Sequence, residues 1–309
     1  MSLVFACVDI PAEPWVNALQ KELPDLEIEV WPNVKNLDEV EFALLWGNWN
    51  ADLTRFPNLQ AFLSLGAGVD HILALDHRPP HIPIVRLGDP SLQTGMVEFV
   101  LYNVLRFHRN FQKYEKQQSE TLWVEQPQVS PSNRSVGLMG LGSLGTVCAN
   151  ALINLGFDVL GWSRRDKEID KVRVFSGGQG LNKFLTQSEI IVCLLPLTRK
   201  TKNILNEENL KKLPPGSFVI NAARGGHIVE SDLLKLLDDG HIGGAALDVF
   251  EMEPLPKKNL LWSHPKVTVT PHVAALVNLE SAAKAISETI YCCRNGLPLK
   301  NIVDPIEGY

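Results

Sequence analysis

The sequence predicts an α/β protein of about two domains, and three observations lead there. Short apolar runs alternate with helix-length amphipathic segments, the order in which parallel sheets and their crossover helices are built. The chain has 309 residues, enough for about two cores of ordinary size. A second strand–helix series starts afresh at Ser135, after a polar stretch from Gln117 to Arg134 that Trp123, Pro127 and Pro131 interrupt and that reads as a connector or arm.

In the first series, Leu3 to Val8 predicts a strand and Pro14 to Glu22 a helix opened by its proline. Ala43 to Trp46 and Ala61 to Leu65 predict further strands. Gly66-Ala67-Gly68 follows the second of them, at the kind of strand end where α/β folds place ligand loops. Met96, Val100, Val104 and Phe107 recur at helical spacing and predict one long helix from Thr94 to about Lys116. In the second series, strands are predicted at Val136 to Met139, Phe157 to Trp162, Ile190 to Leu195, Ser217 to Asn221, Gly244 to Asp248 and Val267 to Thr270. A closing helix, about Leu279 to Cys293, stops before Asn295-Gly296.

Composition narrows the function classes. Hydrophobic residues make up 45% and charged residues 21%, which is globular usage and not that of a disordered chain. A net charge of −6 argues against a general nucleic-acid or anionic-membrane surface. No apolar run approaches the roughly 18 residues of a membrane span, and Met1 to Asp9 lacks the basic start of a signal peptide. The five cysteines form no C-x-x-C, so neither a disulfide framework nor a metal site is expected, and the adjacent Cys292 and Cys293 read as small apolar helix residues. The expectation is a soluble, cytoplasmic protein.

Gly140-Leu141-Gly142-Ser143-Leu144-Gly145 is a G-x-G-x-x-G, weak alone but set between a predicted strand and a predicted helix, with another strand beyond. There the glycines permit a tight turn, approach of backbone to a pyrophosphate, and close helix packing, while the helix N-terminus receives the anion. Dinucleotide binding follows, through Gly140, Gly142, Ser143, Leu144 and Gly145. At the end of the next strand an NAD site usually carries an acid for the ribose 2′-hydroxyl. Here Ser163 stands in that place, followed by Arg164 and Arg165, a set that can bind a 2′-phosphate where a carboxylate would repel it. NADP(H) is therefore expected over NAD(H), although Asp166 and Glu168 lend weight to a plain solvated loop.

Three later segments begin at or beyond predicted strand ends: Asn221-Ala222-Ala223-Arg224-Gly225, Leu247 to Pro254, and Thr270-Pro271-His272-Val273-Ala274-Ala275. Together with the glycine motif and Leu65-Gly66-Ala67-Gly68-Val69-Asp70 they resemble the D-isomer-specific 2-hydroxyacid dehydrogenase family. The tract from Leu255 through Leu261-Trp262-Ser263-His264-Pro265 to His272 is similar to its glyoxylate/hydroxypyruvate reductase branch. The resemblance covers nearly the whole chain.

It implies two Rossmann-like, doubly wound parallel-sheet domains closing on a cleft. Residues 1–98 and 276–309 would form a discontinuous, flavodoxin-like substrate domain, and 99–275 the cofactor domain. It also implies a catalytic set of Arg224, Glu253 and His272. The chemistry is sensible on its own account: imidazole is the side chain suited to proton transfer near neutral pH, a carboxylate on its second nitrogen orients it, and a permanently charged guanidinium grips carboxylate and carbonyl oxygens. Asp248 would lie near the nicotinamide carboxamide, with Leu195, Pro196, Leu197, Thr198 and Ala222 on the cofactor edge. Ala67 and Gly68 would offer N–H groups to the substrate, and Trp46 would cap its pocket or serve as a core aromatic. The arm from Phe111 to Pro131 would embrace a second copy in a homodimer, with Trp123 either an interface anchor or local packing.

The activity so implied is NADPH-dependent reduction of a small 2-keto acid, glyoxylate or hydroxypyruvate first. A dehydrogenase for a bulkier 2-keto acid is the alternative on the same fold. A non-catalytic, dinucleotide-sensing corepressor-like protein is the alternative from a different class.

Overall fold

A computed structural model describes residues 2–47, 52–305 and 307–308. Its contacts divide the chain into two units, Met1–Leu92 with Leu276–Tyr309, and Gln93–Ala275. The sequence reading opens the inserted unit at residue 99. The contact boundary falls six residues earlier, near the start of the helix Pro90–His108.

The first unit holds five parallel strands: β1 (Ser2–Cys7), β2 (Glu27–Val30), β3 (Val40–Trp46), β4 (Ala61–Ser64) and β5 (Ile84–Val85). Their order is β2-β1-β3-β4-β5, so the direction of strand addition reverses between β1 and β3 as in flavodoxin-like sheets. Val4, Ala43, Leu45, Phe62, Ile72 and Ile84 form its core, and Val303 from the C-terminal segment joins them. That segment is tied to β5 by main chain, Val303 N donating to Ile84 O at 2.9 Å and Arg86 N to Asn301 O at 3.2 Å. Its helix, Leu279–Arg294, packs on the helix Ala12–Glu22. The first unit is thus completed by residues that follow the second.

The second unit holds seven parallel strands: β6 (Ser135–Met139), β7 (Asp158–Ser163), β8 (Arg173–Ser176), β9 (Ile190–Cys193), β10 (Ser217–Asn221), β11 (Ile242–Leu247) and β12 (Val267–Val269). Their order is β12-β11-β10-β9-β6-β7-β8. Successive strand side chains point to opposite faces, so a strand apolar at every position must be covered on both. Phe218 and Ile220 accordingly enter one apolar layer and Val219 the other, and the same split separates Ile190 and Val192 from Ile191. Strand order reverses between β6 and β9, which puts the loops after those strands on either side of the switch point where such sheets bind ligands.

The single helix expected from Thr94 to Lys116 is two, Pro90–His108 and Phe111–Ser119. Asn110 breaks it, adopting a left-handed φ of 58° that asparagine tolerates, with its amide donating to Pro127 O at 3.2 Å. Among the described residues no helix is long and apolar enough to cross a membrane.

Candidate active site

The glycine motif forms the turn from β6 into the helix Ser143–Asn154. Gly145 lies so near the loop that a Cβ there would come within 1.9 Å of Gly140 O, so only glycine lets the helix start this close. A Cβ on Gly142 would meet nothing within 4 Å, which leaves the outer side of the turn open. The helix has no side-chain cap, and its first N–H groups have no partner within the helix. An open backbone turn before an uncapped helix N-terminus fits the diphosphate of a dinucleotide. Ser143 Oγ accepts from Gln93 Nε2 at 2.8 Å, and Leu144 is half-buried.

At the end of β7, Ser163 is buried and its hydroxyl donates to Arg165 O. Arg164 is half-buried and Arg165 exposed. The nearby Asp166 carboxylate accepts the Ser176 hydroxyl, so this acid is engaged within its own loop. The strand end therefore carries two cations that fit a 2′-phosphate, beside a serine whose hydroxyl proton is engaged within the loop. Lys167, which the sequence reading did not single out, donates to Leu141 O at 2.8 Å and ties this loop to the glycine turn. A third cation two residues beyond Arg165 was the available signal.

Beyond β9, Leu195 is buried and Pro196 and Thr198 are half-buried. Thr201 fixes this loop: its hydroxyl donates to Pro196 O at 2.7 Å and accepts from Thr198 N at 2.8 Å. Ala222, just after β10, is 8% exposed and its N–H donates to Cys193 O at 3.4 Å.

The Arg224 turn is shaped by Asn221, which is fully buried. Asn221 Nδ2 donates to Arg224 O at 2.9 Å, and its Oδ1 accepts from Ala223 N at 3.2 Å. Gly225 sits against backbone, where a Cβ would fall 1.8 Å from the Phe250 carbonyl carbon. The arginine turn is thereby seated on the segment that leads to Glu253. Arg224 is half-buried, with Nη1 donating to Ala223 O at 2.8 Å.

Asp248 and His272 form one construction. The Asp248 carboxylate, 1% exposed, accepts from Thr270 Oγ1 at 2.6 Å, Val273 N at 2.9 Å and Ala274 N at 2.8 Å. Its carbonyl also accepts His272 N at 2.8 Å. These bonds hold His272 at a φ of 56°, a left-handed conformation that a non-glycine residue keeps only when its surroundings impose it. The resemblance implies a place for Asp248 beside the nicotinamide, and in the structure its carboxylate holds the histidine turn. Thr270, absent from the sequence-based set, belongs to this construction.

His272 Nδ1 lies 2.8 Å from Glu253 Oε2, while Glu253 Oε1 accepts Phe250 N at 2.9 Å. Burial pushes the Glu253 carboxyl up. The hydrogen bonds from His272 and Phe250 and the charges of His272 and Arg224 outweigh that and hold it below the usual carboxylate range. An ionised Glu253 fixes the proton on Nδ1, so a proton for transfer would sit on Nε2. Arg224, Glu253 and His272 are thus assembled within the second unit, on the turns that follow β10, β11 and β12.

The three remaining predicted residues belong to the first unit. Trp46 ends β3 half-buried, its ring so close to Gly66 that a Cβ there would lie 2.4 Å from it. It meets His71 edge to face at 5.2 Å, so it has a packing role within its own unit. The Ala67–Gly68 loop is shaped by Ser64, whose hydroxyl donates to Gly68 O at 2.8 Å.

Known proteins are similar to this chain in sequence and fold. The family described as D-isomer specific 2-hydroxyacid dehydrogenase, NAD binding domain, matches residues 101–274. A D-isomer specific 2-hydroxyacid dehydrogenase from Xanthobacter autotrophicus Py2, solved with NADPH and MES, is 40% identical with a TM-score of 0.95, over 100% of this chain and 99% of that one. An NADPH-dependent glyoxylate/hydroxypyruvate reductase from Sinorhizobium meliloti, solved with NADP and sulfate, is 36% identical with a TM-score of 0.93, over 100% of both chains. A probable 2-hydroxyacid dehydrogenase from Rhizobium etli CFN 42, solved with NADP, HEPES and L(+)-tartaric acid, is 36% identical with a TM-score of 0.92, over 100% of this chain and 99% of that one. On its fold, its site and these likenesses, the chain belongs to the D-isomer-specific 2-hydroxyacid dehydrogenase family, the NAD(P)-dependent oxidoreductases.

Proposed function

We propose that this protein uses NADPH to reduce a small 2-keto acid, glyoxylate or hydroxypyruvate first, to the corresponding 2-hydroxy acid. The observation that carries the reading is the 2.8 Å pair of His272 and Glu253, held next to the Arg224 turn. The 36% identity to the Sinorhizobium reductase along both whole chains supports the choice of substrate.

A bound nicotinamide would supply the hydride. Arg224 would bind the keto acid's carboxylate and carbonyl oxygen and stabilise negative charge as it develops on the latter. Glu253 would keep the ring oriented and His272 would deliver the Nε2 proton to that oxygen. Gly140, Gly142, Ser143, Leu144 and Gly145 would hold the diphosphate, with Leu195, Pro196, Thr198 and Ala222 along the nicotinamide. Ser163, Arg164 and Arg165 would select the 2′-phosphate, and the X. autotrophicus, S. meliloti and R. etli structures were solved with NADPH or NADP.

A homodimer is part of the proposal. Leu122, Trp123 and Val124 stand on the arm as an exposed apolar run, Trp123 at 98% exposure, and equilibrium sedimentation measures the state directly. The activity is tested by following loss of NADPH absorbance with a panel of 2-keto acids. Turnover should be fastest on glyoxylate or hydroxypyruvate. Binding of NADPH without turnover of any acid would overturn the reading.

A further inference from the structure

His227 is one of seven histidines besides His272, and its setting separates it from the other six. It closes the short turn Gly225–His227 directly after Arg224 and is 0% exposed. Its Nδ1 lies 3.0 Å from Arg224 O and its Nε2 3.3 Å from Pro196 O. The ring therefore spans from the turn that carries Arg224 to the loop after β9. Other bonds join the same two segments farther along: Asn203 N to Gly226 O at 2.8 Å, Leu205 N to His227 O at 2.9 Å and Val229 N to Leu205 O at 3.2 Å. Those are main-chain bonds and would survive any side chain at 227. The imidazole adds two bonds, to the carbonyls of Arg224 and Pro196 themselves.

We propose that His227 is a positioning residue that couples the arginine turn to the Pro196–Thr201 loop, so that one buried ring sets both the substrate grip and the nicotinamide edge. The inference rests on the reductase reading given above and deepens it. Both of the ring's main-chain partners are carbonyl oxygens, which only accept, so a proton on each nitrogen is required for both bonds. Burial works against the charged ring. Interaction with the Cys193 sulfur and the two carbonyls outweighs it and raises the pKa above that of an ordinary imidazole. Losing one bond loosens one partner: without the Nδ1 bond Arg224 O keeps Asn221 Nδ2 and the His227 main-chain N–H as donors, and without the Nε2 bond Pro196 O keeps the Thr201 hydroxyl.

Two conservative variants separate the bonds. His227→Asn keeps an amide near Nδ1, within reach of Arg224 O, and loses Pro196. His227→Gln reaches toward Pro196 O and loses the Nδ1 geometry. His227→Asn should weaken NADPH binding, read by nicotinamide fluorescence, about tenfold while leaving KM for the keto acid unchanged, the size expected for one buried hydrogen bond. His227→Gln should do the reverse, raising KM for glyoxylate about tenfold with NADPH affinity kept.

Equal shifts of both constants in both variants, or lower melting temperatures with unchanged constants, would show a purely structural histidine and overturn the proposal. If neither variant folds, 15N-histidine NMR of the wild-type protein decides: two protected ring N–H groups support the bridge, and a neutral ring contradicts it. A wild-type protein inactive on every keto acid would sink the reductase reading, while the fluorescence and NMR results would still decide the role of His227.

Discussion

Two ends of the second unit's sheet are built in opposite ways. Around His272 the chain is over-determined: a carboxylate 1% exposed takes three hydrogen bonds, a fully buried asparagine shapes the Arg224 turn, and a glycine without room for a Cβ seats that turn on the next. Around Ser163–Lys167 only the serine is buried, Arg165 and Lys167 are exposed, and the loop is tied by single bonds such as Lys167 to Leu141 O. Proton transfer demands a nucleus-to-nucleus geometry that must exist before the substrate arrives. Selecting a phosphate over a hydroxyl demands charge, which acts over longer distances and tolerates mobile side chains. The first end should therefore be sensitive to shape-conserving changes and the second to changes of charge.

The largest contrast is expected at Asp248. Asp248→Asn keeps the shape but turns one acceptor oxygen into an NH2 that faces an N–H or hydroxyl donor. Leaving such buried groups unmatched costs about 1–3 kcal/mol and should lower the thermal unfolding temperature. With the left-handed His272 turn loosened, turnover should fall by about tenfold to a hundredfold. Unchanged kinetics in a folded Asp248→Asn protein would mean that the His272 turn does not depend on that carboxylate.

The charge end should respond next. Ser163→Asp combined with Arg164→Ala places a carboxylate where the 2′-phosphate is proposed to bind and removes a cation. NADPH affinity should drop about tenfold or more while NADH affinity holds or improves, measured by fluorescence titration of each cofactor. Equal losses for the two cofactors would show that this loop does not read the 2′ position.

The smallest effect lies in pH-dependent stability. The Glu253 carboxyl is held below its usual range. Its contribution is therefore fully present above the unfolded-state carboxyl pKa and is lost as pH falls through the lower folded value. Both side chains of the pair are more than a third exposed, which keeps the effect modest. Melting temperatures of wild type and Glu253→Gln should differ by a constant amount near neutral pH and converge below about pH 4. A difference that does not change with pH would rule out this linkage.

The same division governs how much could be read without coordinates. The central strands of the second unit were legible because both faces are buried and the run is continuously apolar, as along β9 and at Phe218-Val219-Ile220 in β10. β2, with the sequence Glu-Ile-Glu-Val, and β8, with Arg-Val-Phe-Ser, were not, because each is an edge strand without a buried apolar side chain: Glu29 is the one buried residue in β2, and β8 has none. β5 is two residues long and carries no period to detect. The helix break at Asn110 depends on a left-handed φ and a bond to Pro127, neither of which interrupts the apolar spacing before it. Arg224, Glu253 and His272 were nominated because the segments that carry them, in order after predicted strands, resemble those of the 2-hydroxyacid dehydrogenase family. Asn221, Thr270, Lys167 and His227 act through contacts with carbonyls or a buried acid, which ordinary polar residue types do not announce.

The comparison turns on the proposal that His272 is a proton donor positioned in advance, and His272→Ala removes its imidazole while leaving the glycine turn and the Ser163 loop in place. Turnover of glyoxylate and NADPH affinity should be measured side by side on this variant and the wild type. Turnover is expected to fall by about 10²–10⁴ with cofactor affinity unchanged, the range for loss of a positioned general acid. Near-normal turnover in His272→Ala would contradict the account.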